Sequence, residues 1–213
     1  MSNIVVHTET LDETVTINII QDDCVENPFK AWDCEPDIIG WHRNYDFNTR
    51  KEDNHKDPKE FLAEAKENNY LVLPLYMYEH SGIAFSTSRN GYPFNCPFDS
   101  DMFGFIFLTR EKIAEWHGEK YAKRITKKRK ETLLKQLENS VNLLNDYVSG
   151  DVYGYVIEDT EGEVLDSCYG YYGDYVENAL KEARSCAEWH VKNIIETKAK
   201  DLTNLALTLG VAS

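Results

Sequence analysis

The 213-residue chain is poor in the features that would identify it quickly. Its five cysteines, Cys24, Cys34, Cys96, Cys168 and Cys186, are widely spaced and contain no C-x-x-C pair. A structural zinc site normally shows close Cys or His pairs, so the pattern argues against one. An odd count in a chain this long also argues against a disulfide scaffold and for reduced thiols, several of them core residues. No apolar run approaches the roughly 18–20 residues of a membrane span. The opening MSNIVVHTETLDETV has no basic segment followed by an apolar stretch, which predicts that no secretory signal is present and that the protein is cytoplasmic. Positive charge is scarce: 23 Lys and Arg stand against 37 Asp and Glu, a net charge of −14. Broad nucleic-acid binding, which needs cations to neutralise phosphates, is therefore disfavoured.

What is present is material for a core. Apolar residues make up 42% and aromatic residues 12% of the chain, with 13 Tyr and 4 Trp, which excludes wholesale disorder. The length favours one domain.

Residues 3–20 read as an edge hairpin. Val15, Ile17 and Ile19 alternate with polar residues, and Leu11-Asp12-Glu13 forms the reversal. Residues 21–58 read as a long irregular segment rich in Asp, Asn, Pro and Trp. Asp57-Pro58 then opens a helix to about Asn68. The run YLVLPLYMY, Tyr70 to Tyr78, predicts a central strand in which Pro74 demands a bulge or a missing ladder bond. Strands at Ile83–Ser86 and Met102–Leu108 flank the Gly/Pro-rich loop SRNGYPFNCPFDSD. Thr109 caps a short helix, and a long one runs from about Thr126 to Val148 with Leu133, Leu137, Val141, Leu144 and Val148 as its stripe. A second hairpin, 151–158 with 163–169, places Val152, Gly154 and Val156 on one face. A last helix from about Asp174 to Lys198 buries Leu180, Ala183, Ala187, Val191 and Ile194. The sum is an α+β single domain over residues 1–200, a mostly antiparallel sheet packed by two long helices. Residues 201–213, with Leu202, Leu205 and Leu209, follow as a C-terminal amphipathic tail.

The charge is uneven. Between Lys120 and Lys135 lie eight Lys or Arg and one acid, leaving 36 acids against 15 bases, about −21, elsewhere. The basic run reads either as a solvated helix start or as an anion site, with Lys123, Arg124, Lys127 and Lys128 facing a nucleotide phosphate. The acidic remainder reads either as solubility or as a surface complementary to a basic partner.

Three segments join reactive side chains to aromatics: WHRNYD at 41–46, YMYEHSG at 76–82 and CPFDSD at 96–101. Loop residues held by a rigid scaffold are where function concentrates. His80, Ser81 and Asp99 read either as ligand contacts or, for His80 and Asp99, as a hydrogen-bonded pair that stitches two loops together. Tyr171 and Tyr172 of the glycine-spaced CYGYYGDY loop read as core packing at a hairpin–helix junction or, if exposed, as stacking or protein-binding surfaces. An alternative is catalytic. His42, His80, Asp99 and Asp101 would hold a divalent metal that activates water. In the other version Cys96 is the nucleophile and His80 its base, with His42 and Asp99 nearby. Neither has diagnostic spacing, and no cofactor is expected.

In order along the chain, WHRNYDF, LPLYMYEHSGIAFSTS, CPFDSDMFGFIFLTREKI and SGDVYGYVIEDTEGEVLDSCYGYYG resemble a family of small accessory proteins of bacteriophages and mobile elements. The resemblance covers roughly residues 28–190, and HSG and PFDSD-x-x-G are its most specific parts. It implies a context rather than an activity: stoichiometric inhibition of a host defence system in the host cytoplasm. The ligand would be a defence effector or a nucleotide second messenger, with neither membrane nor general nucleic acid as partner. A homo-oligomer is compatible with this reading. The resemblance carries over no catalytic residue, and a small metal- or thiol-dependent hydrolase is the alternative.

Overall fold

The computed structural model describes residues 4–50, 57–89, 92–96 and 98–208. The expected α+β class holds, with antiparallel strands and two long helices, but the strands form two four-stranded sheets. The chain divides into two compact units, residues 26–149 and the two flanking segments 1–25 and 150–213 together.

The flanking unit contains β1 (Val5–Leu11), β2 (Val15–Gln21), β7 (Val152–Asp159), β8 (Val164–Tyr172) and the long helix α6 (Lys181–Thr208), with sheet order β1-β2-β7-β8. The first hairpin is as the sequence predicts. Asp12 and Glu13 both take positive φ, 46° and 54°, in the connection Asp12–Thr14, where Thr14 N–H donates to Leu11 C=O at 3.0 Å. Val15, Ile17, Ile19, Tyr155 and Ile157 pack against Ala179, Leu180, Ala183, Ala187 and Val191. The alanines let the helix lie close to the sheet.

The alternation expected in β7 holds: Tyr153, Tyr155 and Ile157 share the face that packs on the helix, and β7 pairs β2 in unbroken register. The register shifts between β7 and β8 put the extra residues on β8, which takes three steps from Tyr171 to Cys168 against two from Tyr153 to Tyr155. The last helix begins with a wide turn at Val176–Leu180, where Leu180 N–H donates to Tyr175 C=O at 2.8 Å. It then continues without a break through residues 201–208 of the expected tail. From Ile195 every residue except Ala206 is exposed, and Leu209 lies outside the described residues.

The central unit contains α1 (Pro28–Ala31), β3 (Asp37–Gly40), α2 (Pro58–Glu67), β4 (Leu71–Glu79), β5 (Ile83–Ser86), β6 (Ser100–Leu108), α3 (Arg110–His117), α4 (Glu119–Lys123) and α5 (Lys127–Ser149). Its sheet order is β3-β6-β4-β5. The segment expected to be irregular thus holds a strand and a helical turn. Asn27 caps the turn, and DIIG is too short for its period to be read without its partner β6. Residues 51–56 of that segment, and Asn90, Gly91 and Pro97 of the Gly/Pro-rich loop, lie outside the described residues.

The run FGFIFL in β6 is buried on both faces. Phe103, Ile106 and Leu108 join Leu71, Leu73, Leu75 and Met77 under the α5 stripe, whereas Phe105 and Phe107 meet Phe61 and Ala65 of α2. Asp57 caps α2, its Oδ1 accepting from Lys59 and Glu60 N–H at 2.8 and 3.0 Å. Pro74 is accommodated because β5 pairs only with Tyr76–Glu79, so β4 is open on that side at the proline. The Thr87 hydroxyl donates to its carbonyl at 2.6 Å.

Candidate functional site

Antiparallel pairing puts the C-terminal ends of β3 and β4 beside the N-terminal end of β6. The three reactive segments, scattered over sixty residues of sequence, therefore meet at one end of the central sheet. His42 follows β3, Glu79 ends β4 with His80 next to it, Asp99 precedes β6 and Asp101 lies at its start. Backbone pairing continues past the strands, with Glu79 N–H donating to Asp99 C=O at 2.7 Å.

Two linked groups form there. In one, His42 stacks on Tyr45 and Phe103 at centroid distances of 5.3 and 6.2 Å. Its Nδ1 accepts from Asn44 N–H at 3.3 Å, which in the neutral ring leaves the proton on Nε2. The Tyr45 hydroxyl donates to Glu79 Oε1 at 2.7 Å, and that hydrogen bond to a carboxylate holds the phenol above its ordinary range. His42 and Asp101 both line a polar cleft of about 520 Å³, with Arg43 and Asn44.

In the other group the Cys96 thiol donates to Asp99 Oδ2 at 3.1 Å, and His80 Nδ1 stands 3.6 Å from the same oxygen. The Ser100 hydroxyl donates to the Cys96 carbonyl and accepts from Tyr92 at 2.7 Å. The expected thiol–imidazole pair is not made: a carboxylate stands between sulfur and ring, where a base must reach the nucleophile directly. His80 is two-thirds exposed and Ser81 is exposed. The four residues of the metal alternative are divided between the two groups. Among the described residues no group of three or more His, Cys, Asp or Glu is placed to hold a metal ion. The arrangement ties two loops together and presents a hydrogen-bonding rim.

The nucleotide pocket expected from His80 and the basic run together is not assembled. Lys123 shares a shallow cleft with Asn68, Asn69 and Arg110 at the start of β4, whereas His80 follows its end. A nine-residue strand separates them by about 30 Å. The run is also partly engaged. Lys123 pairs with Glu119 at 3.5 Å, and Arg129 lies 4.2 Å over the Tyr121 ring while donating to Arg124 C=O. Lys123 and Arg124 belong to the end of α4 and its cap, an element hidden from sequence reading because five residues show no period. Lys127 and Lys128 are exposed at the start of α5.

Tyr171 and Tyr172 belong to the flanking unit, on β8 rather than a loop, and both are half-buried. Burial, reinforced by Cys168, pushes the Tyr171 phenol up; burial with Cys186 does the same for Tyr155. Such phenols are neutral packing groups at physiological pH.

The structure also partitions charge. The flanking unit carries 17 acids against 5 bases, −12, while the central unit carries 20 against 18, −2. Acids such as Glu161, Glu163, Asp174 and Glu177 are exposed there.

No family model, curated protein or solved structure matches this chain. No described helix is long and apolar enough to cross a membrane.

Sequence reasoning missed three features of the central unit. Glu79 anchors Tyr45, Phe98 is 96% exposed beside Asp99, and Trp32 and Trp116 line one cavity. An exposed aromatic and a buried one look alike in sequence; only the strand ends on either side distinguish them.

Proposed function

We propose that this chain is an accessory protein of a bacteriophage or mobile element that blunts a host defence system in the host cytoplasm by stoichiometric binding. The acidic flanking unit is the contact surface and a basic defence effector is the partner. The observation that carries this reading is the charge partition: −12 of the net −14 falls on one compact unit whose carboxylates are largely exposed. A charge of that density steers a basic partner in solution and is expensive to keep unless it serves solubility or recognition. The resemblance of the HSG and PFDSD-x-x-G segments supplies the biological setting.

The test is phage plating on hosts that carry individual defence systems and express the chain. At least one system should be neutralised, and a variant with Glu161→Gln, Glu163→Gln, Asp174→Asn and Glu177→Gln should lose most of that effect while staying folded. Binding to the purified effector should weaken steeply between 0.1 and 0.5 M salt, because screening shortens the reach of exposed charges to a few ångströms. Full activity of the neutralised variant, or binding insensitive to salt, overturns the reading. The hydrolase alternative would have to use His80 and Asp99, which do meet. If His80→Ala with Asp99→Ala abolishes activity while the charge variant retains it, the hydrolase takes its place.

A further inference from the structure

A cavity of about 400 Å³ lies in the central unit, away from the sheet end where the reactive loops meet. Its floor is apolar: Phe29 of α1, Leu108 at the end of β6 and Leu137 of α5, at most 5% exposed. Two tryptophans stand at its sides, Trp32 after α1 and Trp116 on α3, each 48% exposed. A core that needed these indoles for packing alone would cover them. Ligand sites of roughly 300–1,000 Å³ are typically lined this way, apolar and aromatic with a few placed polar groups.

The polar group here is the Gln136 side-chain amide. Gln136 lines the cavity, and its Oε1 is buried without a hydrogen-bond partner. An unsatisfied buried carbonyl is costly, and native proteins rarely leave one without a use. Gln136 is thus a cavity-lining residue with an unused acceptor. The rim carries Asp33 and Glu35, the latter 2.7 Å from His117, and this negative rim selects against anions.

The geometry points to a small-molecule site for a planar, uncharged or cationic ring system that stacks on Trp32 and Trp116 and donates one N–H to Gln136. The inference is independent of the acidic surface and survives if that reading fails.

Indole and indene, nearly identical in shape, test it, because only indole has the N–H. Titrated into the full chain and followed through tryptophan side-chain N–H resonances, indole should shift Trp32 and Trp116 and leave Trp41 and Trp189 in place. Indene should bind about tenfold more weakly, the effect of one hydrogen bond to a group otherwise left unpaired. In Gln136→Leu the preference should vanish. A site that works by hydrophobicity alone gives the opposite order, since indene is the less polar of the two. Indene binding as well as indole or better, shifts spread over all four tryptophans, no shifts at all, or a preference that persists in Gln136→Leu each overturns the proposal. The indole–indene comparison on the unaltered protein stands even if the variant fails to fold.

Discussion

Asn145 offers the sharpest test of how the central sheet is finished. Strand β5 lies at the sheet's edge, where a backbone donor and acceptor at Phe85 would face away from any strand. The Asn145 side chain, reaching down from α5, meets both: its Oδ1 accepts from Phe85 N–H at 2.6 Å and its Nδ2 donates to Phe85 C=O at 2.9 Å. One amide thus imitates a fifth strand for one residue, and Phe85 itself is 3% exposed in the core. Asn145→Ala removes two hydrogen bonds worth about 0.5–1.5 kcal/mol each and leaves two half-buried backbone groups unpaired. Alanine returns about 0.5 kcal/mol through its better helix propensity, so a net loss of about 2 kcal/mol is expected. Asn142→Ala on the exposed side of the same helix isolates that propensity gain and should be neutral to slightly stabilising. Urea unfolding followed by tryptophan fluorescence suits the measurement, since Trp32, Trp41 and Trp116 belong to the central unit. The midpoint of Asn145→Ala should fall by about 1 M for a slope of about 2 kcal/mol/M. The Phe85 amide should also exchange faster than its neighbours on β4. A midpoint within about 0.2 M of Asn142→Ala would refute the reasoning and make the amide contact incidental.

Two further perturbations probe other parts of the fold. Gly104 of β6 pairs with Gly40 of β3, and a methyl at Gly104 would overlap the Ile39 carbonyl oxygen and the Gly40 Cα, both backbone atoms that cannot swing aside. Gly104→Ala should therefore cost more than about 3 kcal/mol, the range of severe core strain, and yield little folded protein at 37 °C; near-native circular dichroism and melting would count against the close approach. In the flanking unit, Arg184 holds Glu9 through contacts of 3.0, 3.1 and 2.5 Å, and this hydrogen bonding to the guanidinium depresses the Glu9 pKa. A depressed carboxyl contributes stability above its unfolded pKa that disappears as pH falls through the folded value. Arg184→Gln should thus be less stable than the parent at pH 7 and converge with it as pH falls below the ordinary carboxylate range, as read from parallel melts; a difference independent of pH would assign the effect to packing.

The legible parts of the fold were those with a period or a cap. The α5 stripe is buried at Leu133, Leu137, Val141 and Leu144 and half-buried at Val148, Thr109 and Asp57 cap their helices through side-chain oxygens, and Ile83–Ser86 is a strand at the residues expected. What stayed hidden was short or displaced. The strand Asp37–Gly40 has four residues and exists because β6 offers it an edge. The bulges of β8 stayed hidden because a bulge is a property of a strand pair, and a single strand carries no sign of it. Of the site, the residue types were legible and the partnerships were not. His80 and Asp99 do meet, but Cys96 reaches the carboxylate rather than the ring, and Glu79, within the YMYEHSG segment but never singled out, anchors Tyr45.

The same topology separates the polar loops from the basic run within the central unit. A sheet ordered β3-β6-β4-β5 gathers the loops after β3 and β4 with the loop before β6, so polar groups from three distant segments collect at one end. The basic run is carried by α4 and the start of α5, which lie at the opposite end of β4. One small anion cannot bridge both groups. That separation removes the argument for a nucleotide held jointly by His80 and Lys123–Lys130. It leaves the near-neutral central unit with its cleft and apolar cavity, and gives nearly all the net charge to the flanking unit. On the proposals made above, long-range attraction would reside in the flanking unit, and ligand recognition by shape and hydrogen bonds in the central unit. Salt should weaken an encounter that depends on the first and leave ligand binding in the second almost unchanged.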